Sequence, residues 1–116
     1  MTNTEQTPMT PGPSMPNAED LLAFQIKAAK LPEPVRQFRY VPGRKFTADF
    51  AYTERRLLIH VDGGVYSRQA HGSITGILAD IARQNLATLG GYRALRVTPD
   101  MVKDGTALKL IEEALK

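Results

Sequence analysis

Asp49, His60 and Asp62 are residues whose types and spacing suit chemistry. Asp49 sits in KFTADFAY (45–52) and the other two in LLIHVDGGVY (57–66), with TERR (53–56) between them. Both flanking segments read as strands. If TERR is a symmetric four-residue hairpin loop, Tyr52 pairs with Leu57, and counting back along both strands sets Asp49 directly opposite His60. Directly opposed residues share a face and have Cβ atoms about 4.5–5.5 Å apart. Asp62, two residues past His60, points to that face as well. Two carboxylates and an imidazole gathered in this way could share a divalent cation. The same spacing also suits a plain Asp–His hydrogen bond, or an aspartate that merely opens the Gly63-Gly64 turn.

The elements that must position these residues follow from the pattern on either side. KFTADFAY is expected to alternate cleanly, with Phe46, Ala48, Phe50 and Tyr52 on one face and Thr47, Asp49 and Ala51 on the other. In LLIHVD, Leu57, Ile59 and Val61 oppose Leu58, His60 and Asp62. VRQFRYV (35–41) mixes β-branched and aromatic residues with arginines and reads as a preceding strand, turned by Pro42-Gly43. Upstream, Asn17 or Asp20 can cap a helix carrying Leu21, Leu22, Phe24, Ile26, Ala28 and Ala29, which LPEP (31–34) ends. SRQAHGS (67–73) is a loop, with His71 near its end and Ser73 placed to cap the next helix. Taken alone, His71 is an ordinary loop histidine. ITGILADIARQNLATL (74–89) sets Ile74, Ile77, Leu78, Ile81, Asn85 and Leu89 along one side of that helix, and Asp80, Arg83, Gln84 and Ala87 along the other. Gly90-Gly91 closes it through a left-handed cap. YRALRVT (92–98) is a fourth strand, Pro99 breaks it, and TALKLIEEALK (106–116) is an amphipathic helix with Leu108, Ile111 and Leu115 on its apolar side. A strand, helix and strand in sequence imply a right-handed crossover, so the fourth strand lies parallel to a strand of the meander. The expected class is α/β, with order α-β-β-β-α-β-α and a mixed sheet in a layered sandwich.

Composition bounds the rest. At 116 residues, 42% hydrophobic and 23% charged, the chain suits one small domain with a single core, over residues 18–116. Residues 1–17 hold four of the eight prolines and few large apolar side chains, and are expected to be a disordered tail. There is no cysteine, which excludes disulfides and thiolate metal sites. No apolar run reaches a membrane span and no signal-peptide pattern opens the chain, so a soluble, intracellular protein is expected. The net charge of +3 is uneven. Residues 1–20 contain Glu5, Glu19 and Asp20 and no Lys or Arg, leaving 15 basic against nine acidic residues beyond them. That excess suits either a polyanionic partner or simply a solvated surface. Arg36, Arg39, Arg44, Lys45, Arg55, Arg56 and Arg68 outline a basic face, although alternation sends some of them to opposite sides of the sheet.

The element order, with FTADFAY, LLIHVDGGVY, His71, the Asp80/Arg83/Asn85 helix and GGYRALRVTPDMV, closely resembles small phage and bacterial proteins of the PD-(D/E)xK restriction-endonuclease-like superfamily. The resemblance runs from about Leu21 to Val102. It implies a restriction-endonuclease-like sheet and a metal-dependent DNA endonuclease akin to very-short-patch repair and Holliday-junction-resolving enzymes. It also implies a cytoplasmic setting in a bacterial or phage-infected cell. Asp49 matches the aspartate that is the main metal ligand of that pattern. His60 stands where relatives carry glutamate, and Gln37 where many have an acidic residue. Loss of two oxygen ligands disfavours magnesium and favours manganese. The very-short-patch relatives do without that glutamate, using the aspartate, a main-chain carbonyl, here near Val61, and loop histidines. On this resemblance Asp49, His60 and Asp62 hold a Mg or Mn ion, and His71 acts as general base. Arg68 and Arg83 stabilise developing charge, and Arg36, Arg39, Arg44 and Lys45 meet DNA. For Arg83 an i, i+3 pair with Asp80 is the plainer alternative. A homodimer is compatible with cutting two strands. Two other readings stand beside the nuclease: a DNA-binding member of the fold that no longer cuts, and a phage-encoded protein-interaction module.

Overall fold

The structure, a computed structural model, describes residues 17–62 and 74–116. The Pro-rich segment 1–16 and the loop carrying Arg68, His71 and Ser73 lie outside the described residues. Helix α1 (Ala18–Ala28) leads into strands β1 (Val35–Arg39), β2 (Thr47–Tyr52) and β3 (Leu57–Val61). Helix α2 (Ile74–Leu89), strand β4 (Arg93–Val97), and helices α3 (Pro99–Lys103) and α4 (Thr106–Ala114) follow. The sheet runs β1-β2-β3-β4, antiparallel at the first two steps and parallel between β3 and β4. The expected α/β class, mixed sheet and parallel fourth strand are therefore present.

Local chemistry accounts for the boundaries. Asn17, not Asp20, caps α1, its side chain accepting from the Asp20 amide at 2.7 Å. The β1–β2 turn closes with the Arg44 amide on the Val41 carbonyl at 3.1 Å, and Gly43 supplies the positive φ of 77° there. TERR forms a 3-10 turn over Thr53–Arg55, and Tyr52 pairs with Leu57 as the loop length implied. At the end of α2, the Gly91 amide bonds the Thr88 carbonyl and the Tyr92 amide bonds that of Ala87, with Gly91 at φ 84°. This is the double hydrogen bond of a left-handed glycine cap. Pro99 does more than break β4. Thr98 caps α3 by accepting from the Met101 amide at 3.2 Å, and Pro99 takes the first turn, where its missing N–H costs nothing.

The larger core lies between one sheet face and helices α1, α3 and α4, and includes Leu22, Ile26, Phe50, Leu57, Ile59, Val97, Val102 and Ile111. A smaller cluster on the opposite face joins Tyr40, Ala48, Ala51, Leu58 and Ala87 of α2. The expected alternation of KFTADFAY fails at its centre. Phe46 and Ala48 pack in the smaller cluster, whereas Phe50 and Tyr52 pack in the larger. β1 reverses at the same level: Arg36 lies over the Phe50 ring at 4.9 Å, while Phe38 packs with the smaller cluster. Register is kept throughout, with Arg36 facing Phe50 and Phe38 facing Ala48. The pair between them is Gln37 and Asp49, and Gln37 has φ 51°. A left-handed residue inside a strand reverses the pleat, which turns both strands over at Asp49.

A second departure concerns α2. Its two sides are divided as the spacing implied, but Ile74, Ile77, Leu78, Ile81 and Leu89 are exposed and only Ala87 is buried. The side turned to the sheet is the one bearing Asp80, Arg83, Gln84 and Ala87.

Candidate active-site cleft

A cleft of about 380 Å³ opens where β2 and β3 part and where the parallel strands β3 and β4 end. Ligands of open α/β sheets gather outside such carboxyl strand ends. Asp49, His60 and Asp62 all line it, with Lys45, Arg83 and Arg96.

Regular pairing of β2 with β3 runs from Tyr52 and Leu57 to Phe50 and Ile59. One further step of that register sets Asp49 opposite His60. Two steps on, the Val61 amide would face Ala48, but Asp49 Oδ2 accepts from it instead, at 2.7 Å. The carboxylate thus replaces a ladder bond, and the strands diverge beyond it. Asp49 Oδ1 lies 3.4 Å from Gln37 Nε2, which also donates to Glu19 Oε2 at 2.7 Å. Glu19 of α1 was not singled out in the sequence, since nothing local ties it to residues 30 positions away.

His60 is half-buried, its ring edge-on to Tyr40 at 6.0 Å between centroids. Burial pushes its imidazole below the ordinary 6.5, the Asp49 carboxylate pulls the other way, and Arg96 adds to the lowering. Near neutral pH the ring is uncharged, the form that ligates metals. The same burial raises the Tyr40 phenol, with Arg83 and Arg96 opposing.

Asp62 is not an open carboxylate. Its Oδ2 accepts from Arg96 Nη2 at 2.6 Å, and Arg96 stands opposite His60 on β4. Arg96 went unremarked in the sequence, although Ala94 and Arg96 share a parity in β4 that brings both to the cleft. Among the described residues, no group of three or more His, Cys, Asp or Glu side chains is placed to hold a metal ion.

The basic residues separate. Lys45 and Arg83 line the cleft, and Arg83 pairs with Asp80 at 3.1 Å in the i, i+3 manner. Arg44 and Arg83 both lie over the Phe46 ring, at 5.5 and 5.2 Å, which sets Arg44 beside the cleft wall. Arg36 is elsewhere: it pairs with Glu19 and Asp20 and lines a separate groove against α1. Arg39 is exposed and does not line the cleft. Arg55 donates to the Leu115 carbonyl and Arg56 to that of Gly90, so both brace the far end of the hairpin. The basic residues singled out in the sequence thus divide: Arg44, Lys45 and Arg83 lie at or beside the cleft, while Arg36 turns to the α1 carboxylates and Arg55 and Arg56 to the far end of the hairpin.

Comparison of the chain with protein-family models, with curated proteins and with solved structures gave no match. Among the described residues, no helix is long and apolar enough to cross a membrane.

Proposed function

We propose that the protein is a metal-dependent DNA endonuclease hydrolysing phosphodiester bonds, of repair, nicking or junction-resolving type. The observation that carries this reading is that Asp49, His60 and Asp62 line the same cleft as Lys45, Arg83 and Arg96. Acidic and imidazole donors beside cations match a phosphodiester, whose charge needs neutralising where its bond is cut. The resemblance to the PD-(D/E)xK superfamily agrees with it, and the reading carries with it a cytoplasmic setting, where DNA is accessible.

The donor set suits a divalent cation held at few points. Asp49 and the uncharged His60 imidazole supply two ligands, and such ions commonly complete their shell with waters and substrate phosphate. When bound, the cation supplies Lewis acidity and a more acidic water. An imidazole in place of a carboxylate favours manganese over magnesium. The chain's own residues do the rest. Val61 N–H fixes the Asp49 carboxylate, burial lowers the proton affinity of His60, whose ring packs edge-on to Tyr40, and Arg83 and Lys45 carry positive charge to the scissile phosphate. His71 is the general base of this proposal. A homodimer would give one active site for each strand.

One observation favours a second reading, a DNA-binding member of the fold that no longer cuts. Asp49 and Asp62 already have partners, and the described residues assemble no three-group metal site. Incubation of the purified protein with linear, nicked and branched DNA, under magnesium and then manganese, separates the two. Metal-dependent cleavage supports the endonuclease, whereas binding without cleavage under either metal supports the second reading.

A further inference from the structure

The pair of Asp62 and Arg96 has no assigned task in the cleavage reading beyond a carboxylate in the cleft. Their backbones are held firmly. The Asp62 amide donates to the Val97 carbonyl at 2.7 Å, extending the parallel ladder one residue past β3. Arg96 is within β4, opposite His60. Between these fixed points the side chains meet at 2.6 Å, with side-chain exposures of 51% for Arg96 and 28% for Asp62. An ion pair this open to solvent contributes little to folding, so stability does not account for it.

A planar guanidinium has five N–H donors, and Asp62 Oδ2 engages Nη2. Among the described residues Asp62 is the one acceptor on the Arg96 guanidinium, which leaves other donors for an anion entering the cleft. Arg83 repeats the arrangement from the helix side, tethered by Asp80 at 3.1 Å, and Lys45 lines the same cleft. Two arginines anchored by carboxylates lose less freedom on meeting a phosphate than free side chains would. A carboxylate already bonded to a guanidinium is also a poor place for a metal ion, since the two cations would repel.

We propose that Asp62 is a positioning residue that holds Arg96, and that Arg96 with Arg83 and Lys45 forms a subsite for a phosphate group of the nucleic-acid backbone. The identity of that phosphate as DNA rests on the endonuclease reading; the subsite itself does not.

The test uses the full chain and two probes. Inorganic phosphate is titrated into isotope-labelled protein while the Arg96 Nε–H resonance is followed by NMR. A saturating shift is expected. Asp62→Ala should weaken phosphate binding about three- to tenfold, although it raises the net positive charge, and Asp62→Asn, which keeps an acceptor, should recover part of the loss. Unchanged or tighter binding in Asp62→Ala would show that Asp62 only neutralises Arg96, and would overturn the proposal, as would an Arg96 resonance that does not respond. With a short DNA duplex, Arg96→Gln should reduce the slope of log affinity against log salt by about 0.9. A parent protein that binds the duplex with a slope unaltered by Arg96→Gln overturns the subsite while leaving DNA binding intact. A parent that binds phosphate at Arg96 but no DNA overturns the endonuclease reading alone. Circular dichroism of each variant identifies any that has failed to fold; should Arg96→Gln fail, Arg96→Met, which keeps an unbranched stem but no charge, repeats the slope measurement, with a slope at the parent value overturning the proposal.

Discussion

Asp49 Oδ2 holds the Val61 amide at 2.7 Å, so the carboxylate is oriented before any ligand arrives. Asp49→Ala should therefore do two things. Cleavage of supercoiled plasmid should fall to background, and stability should drop by about 1–3 kcal/mol because a partly buried N–H loses its acceptor. Asp49→Asn keeps an acceptor and should lose cleavage with a smaller loss in chemical denaturation. Cleavage that persists in Asp49→Ala would show that the site lies elsewhere. His60→Glu should raise magnesium-supported cleavage relative to the parent, since it returns an oxygen ligand to the hard ion. Tyr52 offers a test away from the cleft. Its hydroxyl donates to the Pro32 carbonyl at 2.8 Å, and burial pushes it up from 10.0 to about 12. Between those values the unfolded chain releases this proton and the folded chain keeps it. The stability contributed is fully present below pH 10 and is lost as pH rises toward 12. Ultraviolet titration of the native protein should show a late tyrosine that Tyr52→Phe removes.

At the scale of elements, the reversal of β1 and β2 depends on Gln37 at φ 51°. Glycine adopts that conformation freely and a β-branched residue resists it. Gln37→Val should thus be less stable than Gln37→Gly by about 1–2 kcal/mol in urea denaturation. Equal stabilities would mean that the reversal does not depend on this residue. The helices make the complementary case. Ile111 is fully buried between α4 and the sheet, and Ile111→Ala should cost about 2–5 kcal/mol. Ile81 of α2 is about half-exposed at 48%, and Ile81→Gln should change stability by only about 0.5 kcal/mol. A large loss there would show that this side of α2 is covered in solution.

For the whole molecule, charge outside residues 1–20 is 15 basic against nine acidic, yet position decides what it can do. Arg36, Arg55 and Arg56 are committed to internal partners, while Lys45, Arg83 and Arg96 meet at the cleft. DNA affinity should fall steeply with salt, and Arg83→Ala should lower the slope by about 0.9 where Arg55→Ala leaves it at the parent value, as fluorescence anisotropy can measure. The sequence by itself determined what short-range chemistry controls. A four-residue loop dictates the pairing of Tyr52 with Leu57 and hence the level of Asp49 and His60. Asn17, Pro42-Gly43 and Gly90-Gly91 mark their caps and turns because each acts within a few residues. The tertiary structure decided what depends on distant partners. Gln37 keeps its unusual φ with its side chain bonded to Glu19 of α1, 18 residues earlier. Arg96 reaches Asp62 only because β4 lies parallel beside β3, a pairing across 34 residues that no local pattern specifies. Which side of α2 faces the sheet was likewise open, because helical periodicity divides the two sides without saying which one the sheet will meet.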